Sequence, residues 1–292
     1  MVNLTWFKLA EISSVSIGQL LDFFESAPRL REVKLRYSIT TPGTINGRLV
    51  SLACLKRIKI CGGPPSALLN HLLVPVGAEL ITKETLSGPL IEDHLPRSLD
   101  NLKNFPNFTM IELYADGPFP YLRFSGPNGQ VKMIARVITS CGTSLLLETL
   151  ADLDTSKTER LQIYFSASRI QGSPHQALLP MKELRTLKLY HCASPRIFVR
   201  VLHPSANLSE AVVCPELEEL IIEHRTAFDI EAVVGMAAAR ASRGVKLETV
   251  RIVHWHRSGY TQPNVSELKK HVSHVECNGQ WDDDVWVCVY NS

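Results

Sequence analysis

A nine-residue frame recurs along this chain, and no other feature limits its fold as severely. The index copy is Leu184-Arg185-Thr186-Leu187-Lys188-Leu189-Tyr190-His191-Cys192, apolar at its first, fourth and sixth places. The same spacing is read at Leu4, Phe7, Leu9, at Leu30, Val33, Leu35, at Leu55, Ile58, Ile60, and at Phe108, Ile111, Leu113. It continues at Thr158, Leu161, Ile163, at Leu217, Leu220, Ile222, at Leu247, Val250, Ile252, and at Val272, Val275, Cys277. Apolar places that alternate with polar neighbours have the period of a strand, so Leu187 and Leu189 point to one face while Lys188 and Tyr190 point to the other. Lead positions 4, 30 and 55 are 26 and 25 residues apart; positions 158, 184, 217, 247 and 272 are 26, 33, 30 and 25 apart.

A frame of the form L-x-x-L-x-L-x-x-N/C at such intervals is the pattern of a leucine-rich repeat. The fold class that follows is α/β: a horseshoe-shaped leucine-rich-repeat solenoid with a parallel concave sheet and helices on the convex side. Each coil covers the open edge of its neighbour. The gaps from 55 to 108 and from 108 to 158 span about two periods, so each is expected to hide a degenerate coil, the first around Ala78, Ile81 and Lys83. Between frames the apolar spacing turns helical. Ile17, Leu20, Leu21 and Phe24 form one stripe, with Ser16 as N-cap and Pro28 ending the segment. Residues 66–73 follow Pro64-Pro65 in the same manner, and residues 228–241 carry a stripe of Ile230, Val233, Val234 and Ala237. Residues 121–134 depart from this rhythm, reading as two strands joined at Pro127-Asn128-Gly129. That β-hairpin is expected as an insertion replacing a helix on the convex side.

The frame runs nearly end to end, so residues 1–292 are read as one repeat domain, although length alone would suggest about two. A hydrophobic content of 45% supports a large core, and a net charge of +2 gives no nucleic-acid footprint. No apolar run reaches the roughly 20 residues needed to cross a bilayer, and no basic flank with a following apolar run marks an export signal. Seven cysteines without a C-x-x-C point away from both a disulfide framework and a zinc site. Cys61, Cys192 and Cys277 fall within or just after strands, as small hydrophobes. Four sequons begin at Asn3, Asn107, Asn207 and Asn264, a number expected by chance in a pattern this short. A reducing compartment, cytoplasmic or nuclear, is expected.

Three phrases narrow the relationship: Pro28-Arg29-Leu30-Arg31-Glu32-Val33, Cys214-Pro215-Glu216-Leu217-Glu218-Glu219-Leu220, and Ala239-Arg240-Ala241-Ser242-Arg243-Gly244-Val245-Lys246-Leu247. A "P-x-L-x-x-L" entry to a strand and a helix ending "R-x-x-R-G" resemble the C-terminal repeat region of fungal, mushroom-type F-box/leucine-rich-repeat proteins. The resemblance implies repeats that select a substrate, and an N-terminal F-box that docks on the adaptor of a cullin-type ubiquitin ligase. Here the chain opens on a repeat strand at Leu4, so the domain is expected to be N-terminally incomplete. The ligase adaptor is a partner only if an F-box lies upstream. A stand-alone interaction or structural repeat protein with no ubiquitin role is the alternative.

Residue types that could carry chemistry have plainer explanations. His254 and His256 share a face but lack further ligands, while structural zinc usually takes four. His271 and His274 flank Val272, and Val272 and Val275 read as strand core. Asp282-Asp283-Asp284 lacks the glycine-punctuated loop of a calcium site and reads as an acidic turn before a last strand, Val285 to Tyr290. Gly126-Pro127-Asn128-Gly129 lacks the ending of a phosphate loop. No enzyme, cofactor or metal is expected.

The outward strand places are more informative. One lane, a residue past the second inward place, holds Arg36, Cys61, Tyr114, Tyr164, Tyr190, Glu223 and Val253. Its neighbour holds Lys34, Lys59, Glu112, Gln162, Lys188, Ile221 and Arg251. In a parallel sheet equivalent places stack about 4.8 Å apart. Tyrosine and arginine are enriched at protein interfaces. A protein partner is therefore expected on the concave face, at Tyr114, Tyr164, Tyr190, Lys188, Arg251, Arg36, Lys34 and Lys59.

Overall fold

The computed structural model of the protein describes residues 3–12, 15–37, 47–62, 65–86, 101–102, 108–115, 121–127, 129–137, 147–148, 150–164, 173–191, 195–207, 209–224, 230–256 and 265–281. Its strands are β1 (Trp6–Ile12), β2 (Glu32–Tyr37), β3 (Val50–Ser51), β4 (Arg57–Cys61), β5 (Leu72–Leu73), β6 (Glu79–Leu86) and β7 (Met110–Tyr114). They continue with β8 (Tyr121–Gly126), β9 (Gly129–Val137), β10 (Arg160–Tyr164), β11 (Thr186–Tyr190), β12 (Glu219–His224), β13 (Thr249–His256) and β14 (His274–Trp281). The helices are α1 (Ile17–Ser26), α2 (Pro65–Leu69), α3 (Pro174–Leu178), α4 (Arg196–Leu202) and α5 (Ile230–Ser242), with a 3-10 turn at Leu268–Lys270.

Twelve strands form one open sheet in the order β1-β2-β4-β6-β9-β8-β7-β10-β11-β12-β13-β14, and β3 and β5 pair separately. Pairing in the large sheet is parallel except where β8 meets β7 and β9. The molecule is thus a mixed α/β fold around a mostly parallel sheet.

The recurring frame explains the register. Phe7 pairs with Val33 and Val33 with Ile58; Ile111, Leu161, Leu187, Leu220, Val250 and Val275 align across the other half. These inward residues join helix residues such as Leu20, Phe24, Phe198, Val233 and Met236 in one apolar cluster. The lead residue closes a turn before each strand. Leu30 N–H donates to Ala27 O at 3.2 Å, Leu55 to Leu52 O at 2.9 Å and Leu217 to Cys214 O at 3.1 Å. The carbonyl one residue later then accepts two N–H groups from the start of the neighbouring parallel strand. Arg31 O takes Lys56 at 2.7 Å and Arg57 at 3.0 Å; Arg185 O takes Glu218 and Glu219, each at 2.9 Å. A strand slipped by one residue would lose these bonds and turn its apolar set outward.

The first long gap holds a strand, but one residue out of the expected step. Leu80 and Thr82, rather than Ile81 and Lys83, pair with Ile58 and Ile60 and lie buried. Thr82 is polar at an inward place, so the apolar pattern favoured its neighbour. The second gap holds the hairpin, β8 and β9, found where the sequence reading placed it but not on the helical side. It lies within the sheet, between β6 and β7. Its alternation serves a strand pair with one buried face: Leu122 and Phe124 are buried while Tyr121 and Arg123 are half-exposed.

Helix α1 begins at Ser16 as expected, with Ser16 Oγ accepting from Gln19 N–H at 3.2 Å and Gln19 Oε1 accepting from Ser16 N–H at 3.0 Å. Helix α2 is shorter than the expected segment, because Leu72 and Leu73 go to β5. In α5 the buried stripe is Val233, Met236, Ala237 and Arg240, shifted from Ile230, Val233, Val234 and Ala237. Arg240 is fully buried and donates from Nη1 to Val213 O at 3.0 Å and from Nη2 to Cys214 O at 2.8 Å. Arg243 Nη2 donates to Glu210 O at 2.9 Å, and Gly244 ends the helix at φ +74. The "R-x-x-R-G" phrase is therefore structural: two guanidinium groups brace the preceding loop and a left-handed glycine stops the helix.

Candidate partner-binding face

The helices cover one side of the sheet, and the outward strand places form the other. Tyr121, Tyr114, Tyr164 and Tyr190 stand in register on the adjacent strands β8, β7, β10 and β11. Tyr114 stacks on Tyr121 with ring centroids 5.0 Å apart and planes 9° apart. Tyr164 stacks on Tyr190 at 4.4 Å and 10°, and Tyr114 meets Tyr164 at 5.8 Å and 45°. The four rings make a continuous half-buried ladder of two stacked pairs, each ring giving one face to its partner.

Beside the ladder, Glu112 is nearly buried and accepts from Arg123 Nη1 at 2.9 Å and from Tyr121 OH at 3.3 Å. Tyr164 OH donates to Gln162 Oε1 at 3.3 Å. Burial first, and the Glu112 carboxylate second, push the Tyr121 hydroxyl well above the usual phenol range. Burial also pushes the Tyr164 hydroxyl well up and raises that of Tyr190, where the next causes are Tyr190 and Glu223 respectively. These three hydroxyls are therefore neutral at physiological pH.

Sequence reasoning named Tyr114, Tyr164 and Tyr190, and the structure brings these three together. It missed Tyr121 because the hairpin was assigned outside the sheet; its alternation was the available signal. Lys188 stands in the adjacent lane, in register with Gln162 and Ile221. Arg251 lies beyond Ile221, and its Nε donates to Glu276 Oε2 at 2.7 Å, so its charge is matched within the protein. Ile221 and Val253 were assigned to exposed lanes, yet both are buried. Flanking long side chains such as Lys188 and Arg251 shade a place like Ile221 with their methylene stems.

Lys34, Lys59 and Arg36 lie on β2 and β4, with β6 and β9 between them and the first ring of the ladder, Tyr121 on β8. That separation is about 14 Å from β4 to β8 at sheet spacing. They form a second patch rather than part of the ladder. Lys8 belongs to it, in register with Lys34, and so does Lys83, in register with Cys61.

The other sequence candidates contribute little here. Among the described residues no group of three or more His, Cys, Asp or Glu could hold a metal ion, and no helix is long and apolar enough to cross a membrane. Cys61 and Cys277 are half-buried free thiols, while Cys192, the acidic stretch 282–284 and the last strand at 285–290 lie outside the described residues. No family model matches the chain, and neither does any curated protein or solved structure.

Proposed function

We propose that this chain is a leucine-rich-repeat solenoid acting as a non-catalytic protein-recognition scaffold, with the outward sheet face as its binding surface. The observation that carries the reading is the ladder of Tyr121, Tyr114, Tyr164 and Tyr190, aligned on adjacent strands of a face that the helices leave open. A surface that needed only solvation would not gather four half-buried rings in register. Rigid tyrosines lose little entropy on binding and bury substantial area, so a ladder of this kind serves contact. Its hydroxyls engage Glu112 and Gln162 and remain neutral, which suits hydrogen bonding to a partner rather than proton transfer. In the manner of the F-box proteins that the repeat wording resembles, the face would select a substrate, and an F-box upstream would recruit the ligase adaptor.

The test is capture of partners from the source cell by the intact chain and by two variants checked for unchanged thermal melting. Tyr114→Ala/Tyr164→Ala/Tyr190→Ala should lose the partner, and Glu231→Lys on exposed α5 should keep it. Retention by the tyrosine variant together with loss by Glu231→Lys would move the function to the helical side.

A further inference from the structure

We propose that the β1–β6 end of the sheet face seats the carboxylates of an acidic, extended protein segment whose continuation crosses the tyrosine ladder. This deepens, and rests on, the recognition reading given above. Lys8, Lys34 and Lys59 occupy one lane in direct register on β1, β2 and β4. In the next lane Arg36 and Lys83 stand on either side of Cys61. These two lanes hold five cations and no carboxylate over four adjacent strands, and the remaining outward lane adds Glu32, Arg57 and Glu79, which leaves the face basic there. Like charges stacked at about 4.8 Å are unfavourable, and no packing need places lysine at exposed positions 8 and 34.

The fold leaves Lys8, Lys34 and Lys59 without an ion pair among the described residues. Among the described residues, the ion pairs of this face join Arg57 to Glu79, Arg123 to Glu112 and Arg251 to Glu276; none reaches Lys8, Lys34 or Lys59. At the opposite end Arg251 is matched by Glu276, and Glu219 and Glu223 lie on β12. The face is therefore polarised, basic toward β1 and balanced or acidic toward β14. An acidic segment is steered to the basic end and cannot run with its charges over β12–β14. From β2 to β11 the lanes span about 34 Å, the reach of roughly 10 extended residues.

Protein fits this surface better than single-stranded nucleic acid. A base needs a free aromatic face, and each ring of the pairs Tyr114–Tyr121 and Tyr164–Tyr190 already gives one face to its partner. Glu219 and Glu223 on β12, beside the ladder, would repel a phosphate backbone, and the whole chain carries only +2.

The test is selection of peptides of about 12 residues from a displayed random library on the intact chain. Winners are labelled and titrated by fluorescence anisotropy in about 50 and 500 mM NaCl. Winners should be rich in Asp and Glu. Lys34→Glu/Lys59→Glu should weaken them by about tenfold or more, as should the added salt. Lys246→Glu/Lys269→Glu, away from the sheet face, should change little, and all variants are checked for unchanged melting. Neutral winners that respond only to Tyr164→Ala/Tyr190→Ala would sink this inference and leave the recognition reading standing. Tighter binding of an oligo-uridine RNA than of the acidic peptides would overturn it in favour of nucleic acid. If no peptide is selected, or those selected respond to neither the lysine nor the tyrosine variant, both readings fall.

Discussion

Leu187 lies wholly within the apolar cluster, between Leu161 and Leu220 in register, whereas Lys188 faces outward between Gln162 and Ile221. Removing the Leu187 side chain leaves a cavity that neighbours cannot fill, because their strands are held by ladders on both sides. Leu187→Ala is expected to cost about 2–5 kcal/mol in chemical denaturation. Lys188→Ala should stay within about 0.5 kcal/mol, since it removes a half-exposed side chain with no ion pair among the described residues. Equal losses would mean that the register is wrong by one residue. Arg240 shows the opposite relation between chemistry and burial. Burial holds its guanidinium below the usual arginine range, and two backbone carbonyls compensate for the lost water. A charged residue at a core place reads in sequence as solvent-facing, so this brace was hidden although its phrase was noticed.

Helix α5 offers a controlled comparison at the scale of one element. Gly235 lies exposed in its interior, and a Cβ there would meet nothing within 4 Å. Gly244 is equally open but sits at φ +74, where Gly244 N–H donates to Ala241 O and Val245 N–H to Arg240 O, each at 3.1 Å. Space is the same and backbone conformation differs. Gly235→Ala should therefore stabilise by about 0.5–1 kcal/mol, and Gly244→Ala should destabilise by about 1–2 kcal/mol, both read from thermal or urea midpoints. Two changes of the same sign would contradict the left-handed stop. Elements of this kind were legible wherever one apolar face repeated, as at Leu30, Leu184 and Leu217. They were not legible where an inward place is polar, as at Thr82, or where a strand pair joins the sheet out of chain order. Hairpin residues 121–134 announced two strands and a turn, but alternation does not say which neighbours β8 and β9 will find. That decision rests on β8 turning back onto its chain neighbour β7 and on β9 reaching β6, distant in sequence, and it carried Tyr121 into the ladder.

At the scale of the molecule, sheet pairing is shared between neighbouring strands rather than gathered at one centre, because each strand pairs only with the strand on either side. The interior strands β10 and β11 have parallel partners on both sides, and their inward residues are fully buried. The edges differ. Among the described residues β1 pairs only with β2, and Leu4, Phe7 and Leu9 remain partly exposed despite the contact of Phe7 with Phe23 at 4.2 Å between centroids. At the far edge β14 pairs only with β13, and Val275 and Cys277 are likewise partly exposed. A strand with one neighbour lacks half of the pairing that holds an interior strand, so opening should begin at the edges and move inward. Native-state hydrogen exchange should show amides of residues 4–9 exchanging by local opening, well before those of residues 161–163 and 187–189, which should exchange only with opening of the stack. Urea should flatten that difference near the unfolding midpoint, as global opening overtakes the local route. Protection at residues 4–9 equal to that at 187–189, in a sample shown to be monomeric, would mean that β1 is covered by something other than its one strand partner.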